Sequence, residues 1–426
     1  MTLERADLEA DGAAARPRTA VPPSTERVYF RGLNGLRFVA AFAVIIHHVE
    51  QFKMWVHLPN AFRNPVVWSF GGQGVALFFV LSGFLITYLL LTEVDRFGDV
   101  SIRKFYVRRV LRIFPLYYLT ILFALGIAPV WMAGMGGAVG SLQDGLFDQT
   151  RTHLPELVLL NAFMLPNLAN VLYPPVLFAS QAWSIGSEEQ FYLLWPWVFR
   201  LFARRLLLAL ALVVLLKIGL THWIAWAGPA GLIPAELADG LLRFGKLLRL
   251  EFMGIGGIGA YFLYRHRSLV ERCLGRGWLE PVGLVALLAL LGSGAYVAHE
   301  LLAIGYTAVL LIVCVNERLG RRLDRRWLNH LGKLSYGIYM FHPLTIMLSL
   351  WLTQQTLGFD DFTAERHALV FALSLIGSIV VAEVSYRYFE RFFLQKKDRF
   401  TRVGSMSTGL DEEDLGARDR PRHPVA

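Results

Sequence analysis

Cysteine is all but absent from this chain. Its 426 residues hold two, Cys273 and Cys314. One falls in a short basic loop and the other inside an apolar run. They make neither a disulfide framework nor a metal-ligand spacing, so no metal site is expected. Charge is scarce as well: only 18% of residues are Asp, Glu, Lys or Arg, against about 25% in soluble domains. No cleavable signal peptide is visible. The first thirty residues are rich in Ala, Pro, Arg and Glu and precede the first apolar run, which is therefore expected to be a retained span. No convincing internal repeat appears.

What remains is apolar. Hydrophobic residues make up 55% of the chain, aromatic residues 13%, and the mean hydropathy is +0.46. That is too much apolar surface for a soluble core of this size. The runs reach the roughly 20 residues that a helix needs to cross a bilayer. The expected fold class is all-α: a polytopic integral membrane helical bundle. The net charge of +9 and pI near 9.6 could suit nucleic acid. The basic residues, however, sit at the ends of apolar runs, where topology signals belong, so the expected partner is the lipid bilayer and not nucleic acid.

Ten spans are read, at about 34–53, 74–92, 111–130, 184–202, 206–226, 249–264, 279–298, 301–317, 333–353 and 367–390. Residues 1–30 and 395–426 read as disordered polar tails flanking a membrane domain over 31–394. The longest internal loop, 131–180, contains HLPELVLLNAFMLPNL, which is apolar but too short to span and reads as interfacial or re-entrant. The stretch RLGRRLDRRW reads as a loop. With ten spans both tails share one side, and 34 of the 42 Lys and Arg fall on it. The positive-inside rule then places both termini in the cytoplasm.

Ionisable residues inside spans are costly and are candidates for function. The first run, LNGLRFVAAFAVIIHHVE from Leu33 to Glu50, carries Arg37 and His48 eleven residues apart. On a helix they share a face, roughly 16 Å apart along the axis, while His47 points away. Arg37 is either an interfacial anchor or a ligand for an anion or carboxylate. His48 is either a polar helix-end residue or a general base or nucleophile. In GVALFFVLSGFLI, Ser82 reads as a hydroxyl bonded to its own preceding turn, with a nucleophile as the lesser alternative. FYVRRVLRIFPLYY puts Arg109 and Arg112 three apart on one helix face, as positive-inside anchors or as a phosphate clamp for a nucleotide-bearing cofactor. WSIGSEEQFYLLWP sets Glu188 and Glu189 at the mouth of an apolar run, where one of them could orient a histidine or an acceptor hydroxyl. In GKLSYGIYMFHPL, Ser335 and His342 lie two turns apart on one face.

Five of these segments, in order, are similar to acyltransferase family three, the integral-membrane acyltransferases: LNGLRFVAAFAVIIHH, GVALFFVLSGFLI, FYVRRVLRIFPLYY, WSIGSEEQFYLLWP and LGKLSYGIYMFHPL. RLEFMGIG at 249–256 and the ending SYRYFERFF match more loosely. The resemblance covers about 31–394. It implies that Arg37 and His48 are the family's first-span arginine and histidine. Arg109 and Arg112 match its paired arginines, and Glu188, with Glu189 beside it, matches its acid. Ser335, Tyr336 and His342 match its late segment. Departures are Asn34 where an acid often stands, Ala76 at an often acidic position, Phe341 for the commoner Trp, and Phe392 for a closing proline. Some family members carry a fused extracytoplasmic hydrolase-like domain; this chain is expected to be the membrane domain alone.

The resemblance implies a membrane-bound acyltransferase of the cell (inner or plasma) membrane. It would move an acyl group, most often acetyl, from acyl-CoA to a hydroxyl of a carbohydrate or related acceptor. Acetyl-CoA enters as donor substrate, with no permanently bound cofactor. Arg109 and Arg112 would meet the CoA phosphates, with Arg37 nearby. His48 would take the acceptor proton, and Glu188, at similar depth, would hold its tautomer. Glu189, Ser335, Tyr336 and His342 would support the substrates. The competing class is a transmembrane carrier that passes acyl groups or small solutes, which intramembrane Arg, His and Glu also suit.

Overall fold

The computed structural model describes residues 28–132, 150–294, 296–358 and 363–403. Most of both expected tails, and 133–149 of the long internal loop, lie outside the described residues. Within them the elements are helices: α1 (Leu33–Trp55), α2 (Pro65–Phe97), α3 (Ile102–Leu122), α4 (Ala128–Met132), α5 (Leu154–Ala162), α6 (Pro166–Leu172), α7 (Trp183–Phe202), α8 (Leu206–Ala227) and α9 (Ala235–Leu248). There follow α10 (Leu250–Arg265), α11 (Arg267–Leu274), α12 (Leu279–Gly292), α13 (His299–Val315), α14 (Glu317–Leu323), α15 (Arg326–Lys333), α16 (Ser335–Leu357), α17 (Ala364–Ser385) and α18 (Arg391–Asp398). One π-turn, Phe123–Ile127, joins α3 to α4, and another, Tyr386–Glu390, joins α17 to α18.

Among the described residues, four continuous helical stretches are long and apolar enough to cross a membrane: Leu33–Trp55, Pro65–Phe97, Ile102–Met132 and Ala364–Asp398. Two helix pairs, α11 with α12 and α13 with α14, bend by 89° and 97° and raise the number to six if each is one span. This is fewer than the ten expected, and two of the shortfalls have local causes. Helix α10 has only 16 residues, and α7 carries Glu188 and Glu189. The outward faces fit the same environment. Helix α8 exposes Leu208, Leu212, Leu215, Leu216, Leu220 and Trp223, a stripe that is stable against hydrocarbon and not against water. The protein is an all-helical membrane protein.

Helix α2 is the centre of the bundle. It is buried over most of its surface and packs on α1, α10, α12 and α13. Small residues allow the approach, because in lipid close packing replaces the hydrophobic effect as the force that joins helices. A Cβ at Gly83 would lie 2.0 Å from the Met253 carbonyl oxygen of α10, and one at Gly256 would lie 2.4 Å from the Val80 carbonyl oxygen of α2. The two backbones therefore touch.

Short helices that the sequence reading missed lie at element junctions. The stretch RLGRRLDRRW folds into α14 and α15 instead of a loop. The Asn316 side chain accepts the Leu319 N–H at 3.1 Å and starts α14, as a capping side chain does. Helix α9 was likewise not anticipated. At the C-terminal end the chain is ordered past 394. Helix α18 runs to Asp398, and Arg402 reaches Asp99 at 3.0 Å.

The buried Glu93 holds this corner together. It accepts the Ser101 N–H at 3.0 Å, faces Arg108 at 3.4 Å, and lies 3.6 Å from Arg402. Glu93→Ala would leave Arg108 facing no carboxylate, and the expected loss is about 3–5 kcal/mol. The melting temperature of the purified variant measures it, and an unchanged value contradicts this role.

Candidate active site

Helices α1 and α16 run side by side in the same direction. Gly332, just before α16, abuts the Asn34 backbone at the start of α1. Arg37 is one turn into α1, and Ser335 and Tyr336 begin α16. His48 lies three turns further along α1 and His342 two turns along α16. The site is thus built in two tiers.

The first tier is a cavity of about 100 Å³ where α1, α2, α3, α7 and α16 meet. Arg37, Arg109 and Arg112 line it, together with Glu188, Ser82, Tyr192, Ser335 and Tyr336. Asn34 positions Arg37: its amide oxygen accepts from the guanidinium at 3.3 Å while its amide nitrogen donates to Asn329. The amide thus does part of what an acid would do at that position. The Arg109 guanidinium lies over the Tyr192 ring at 4.9 Å and the Phe105 ring at 5.6 Å, a cation–π placement that fixes a charged group without neutralising it. Its Nε is buried and has no hydrogen-bond partner among the described residues. Glu188 accepts from both the Ser82 and Tyr192 hydroxyls. The Tyr336 hydroxyl donates to the Ile113 carbonyl at 2.8 Å. Three cations and one carboxylate thus line the cavity, a lining whose charge a polyanionic ligand would match.

The second tier is an imidazole pair. The His48 and His342 rings stand 4.7 Å apart, with His47 at 4.8 Å from His48. The dipeptide His342–Pro343 explains part of this. Pro343 has no N–H, so the carbonyl of Tyr339, four residues back, loses its helical partner. His342 Nδ1 takes that place at 2.6 Å. A carbonyl can only accept, so Nδ1 carries the proton and Nε2 is left as a lone pair. That Nε2 is fully buried and has no partner among the described residues. His48 is held in the same way, its Nδ1 on the Val44 carbonyl at 2.9 Å. Both rings are therefore set as bases.

Tyr339 joins the tiers. It lines the cavity and packs on His342, ring centroids 5.6 Å apart. Its hydroxyl donates to the Gln181 carbonyl at 2.9 Å and meets Ser184 at 2.8 Å.

The structure brings Arg37, Arg109, Arg112, Glu188, Ser335 and Tyr336 together, and His48 and His342 together. It corrects three readings. Glu188 does not hold His48; Val44 does. The reason is depth. Gln181 bonds the Met340 carbonyl at 2.9 Å, so α7 starts level with His342, and Glu188 lies further along towards the Arg37 end. Ser82 bonds Glu188 and not its own preceding turn. Glu189 does not line the cavity, and its Oε1 is buried without a partner among the described residues. Sequence spacing does not single out Tyr192 and Tyr339, although each sits a helical turn from a candidate residue (Glu188 and His342).

Comparison with known proteins gives the family. Residues 30–387 match the family model described as an acyltransferase domain, and the chain belongs to that family. It is 28% identical over 391 residues to the protein YrhL of Bacillus subtilis (strain 168), covering 85% of this chain and 54% of that one. It is 25% identical over 389 residues to the peptidoglycan O-acetyltransferase OatA of Listeria monocytogenes, covering 85% and 56%. Against the O-acetyltransferase OatA of Staphylococcus aureus (strain MRSA252) it is 24% identical over 410 residues, covering 88% and 60%. The chain thus spans a little over half the length of these relatives. No solved structure matches it.

Proposed function

We propose that this protein is a membrane-bound O-acetyltransferase that moves an acetyl group from acyl-CoA to a hydroxyl of an envelope carbohydrate. Peptidoglycan is the acceptor class that the names of two relatives suggest. The observation that carries the reading is the two-tier geometry: three arginines around a cavity at one end of α1, two imidazole bases at the other, and Tyr339 between them. Arg109 and Arg112, with Arg37, hold the CoA phosphates. The thioester then reaches the level of Tyr339, one turn from His342. The acceptor hydroxyl, whose own pKa is far above neutrality, is deprotonated by His48 as it attacks. A C–O bond forms, the C–S bond breaks, and the proton passes by way of the imidazole to the thiolate. His342 is the second base beside His48.

The proposed topology keeps ten spans with both termini in the cytoplasm of the plasma membrane, supported by the excess of Lys and Arg on one side. It places the arginine cavity at the inner face and the histidines towards the outer half. A carrier is the alternative, and labelled acetyl-CoA separates the two: an enzyme depletes it when a carbohydrate acceptor is present, and a carrier does not. The donor clamp has its own test. Arg109→Ala is expected to raise the donor KM by about tenfold or more, the worth of a lost charge-assisted contact, with a smaller change in kcat. An unchanged donor KM rules out the clamp.

A further inference from the structure

The segment RLEFMGIG has no part in the cavity or the imidazole pair, yet it carries charge into the bundle. Glu251, almost fully buried in α10, pairs with Lys217 of α8 at 2.8 Å. Arg249 stands at the junction of α9 and α10 with φ +41°, a left-handed backbone that a side chain as large as arginine adopts only under constraint. Its Nε donates to the Lys246 carbonyl at 3.1 Å, and its guanidinium lies over the Phe252 ring at 5.3 Å. Its Nη1 is buried without a partner among the described residues, and so is the hydroxyl of Tyr306, a neighbour within electrostatic reach.

Lys217 and Arg249 are two cations. The buried carboxylate Glu251 pairs with Lys217 and lies within electrostatic reach of Arg249, yet the Arg249 Nη1 has no hydrogen-bond acceptor among the described residues. His299 lies beside them, with its ring 6.2 Å from that of Phe252; Glu300 follows it at the start of α13 and faces His299. A buried N–H without a partner is costly unless an acceptor completes it, and a guanidinium N–H is best completed by an anionic oxygen.

The place of this cluster gives it meaning. A Cβ at Gly72 would lie 4.0 Å from Arg249 Nη2, and a Cβ at Gly71 would lie 2.6 Å from the His47 ring. His47 in turn touches His48. The unpartnered Arg249 N–H is therefore two glycines and one imidazole away from the proposed base, on the side opposite the arginine cavity.

We propose that Arg249 and Tyr306, with Lys217 behind them, form an anion subsite that holds an acidic group of the carbohydrate acceptor. The inference rests on the acyl-transfer reading for what the ligand is, but binding alone tests it. The full chain in lipid nanodiscs, without acetyl-CoA, is equilibrated with labelled glucuronate, glucose 6-phosphate or glucose. The expected result is that at least one acidic sugar binds about tenfold more tightly than glucose, as a charge-assisted hydrogen bond gives; the better of the two names the group as carboxylate or phosphate. Arg249→Gln is expected to erase the preference and Arg249→Lys to keep part of it. If Arg249→Gln does not fold, Tyr306→Phe serves, with an expected loss of about threefold to fivefold. Equal binding of all three sugars, or a preference unchanged in the folded variants, overturns the subsite. If transfer from acetyl-CoA proceeds while the preference is missing, only the subsite falls. If the preference is present and no acetyl group is ever transferred, the enzymatic reading falls and the anion site stands.

Discussion

His48→Ala is expected to lower acetyl transfer by about 10²- to 10⁴-fold, the contribution of a positioned general base. The geometry sets where in that range the loss falls. His48 Nδ1 is tied to the Val44 carbonyl, so its Nε2 is the basic atom. His342 presents a second Nε2 with no partner among the described residues, 4.7 Å away between ring centroids. If His342 partly replaces the missing base, the single variant sits near the lower end and the double variant with His342→Ala near the upper. The measurement is label moved from acetyl-CoA to glycan in membranes holding equal amounts of folded protein. Turnover close to that of the unsubstituted protein would remove His48 from the mechanism.

Gly83→Val is expected to abolish the folded protein almost entirely. Its Cβ would stand 2.0 Å from a backbone oxygen of Met253, and a backbone atom cannot rotate aside as a side-chain tip can. Helices α2 and α10 would have to separate, which also opens the reciprocal contact at Gly256. Overpacking commonly costs about 1–3 kcal/mol even where side chains can adjust, and here no adjustment is open. Against a total stability of about 5–15 kcal/mol, forcing apart the central helix pair is decisive. Gly219→Ala is the matched control, since nothing lies within 4 Å of a Cβ there. The yield of monodisperse protein from membranes distinguishes the two. Equal yields would show that the α2–α10 contact is not what holds the bundle.

How much of this was legible beforehand follows from what each reading depended on. Arg37 and His48 share a face because helical phase is fixed by spacing, and Arg109 and Arg112 do so for the same reason. Depth is another matter. The pairing of Glu188 with His48 fails because the turn before α7 docks on Met340, and no local pattern in the sequence encodes that contact. Ser82 was assigned to its own helix because a partner 106 residues away cannot be seen from spacing. The role of Asn34 was equally hidden, since it depends on Asn329. The short helices α14 and α15 were read as a loop because their arginines masked an apolar face only one turn long. The loose motif at 249–256 is visible as a pattern, but its unpartnered N–H is not, because Lys217 and Tyr306 come from other helices.

Tyr339 has a consequence beyond joining the two tiers. With its ring against His342 and its hydroxyl held by Gln181 and Ser184, it lines the cavity on the side of the imidazole pair. Under the proposed reading the phosphates of CoA stay on the side where they bind, and what passes Tyr339 is an acetyl group in one direction and a proton in the other. Each elementary charge carried through a membrane potential of about 100 mV changes the free energy by about 2.3 kcal/mol. This exchange carries no net charge, because thioester and hydroxyl become thiol and ester, all four neutral. The reaction would then be electrically silent, with the same driving force in an energised membrane as in a depolarised one.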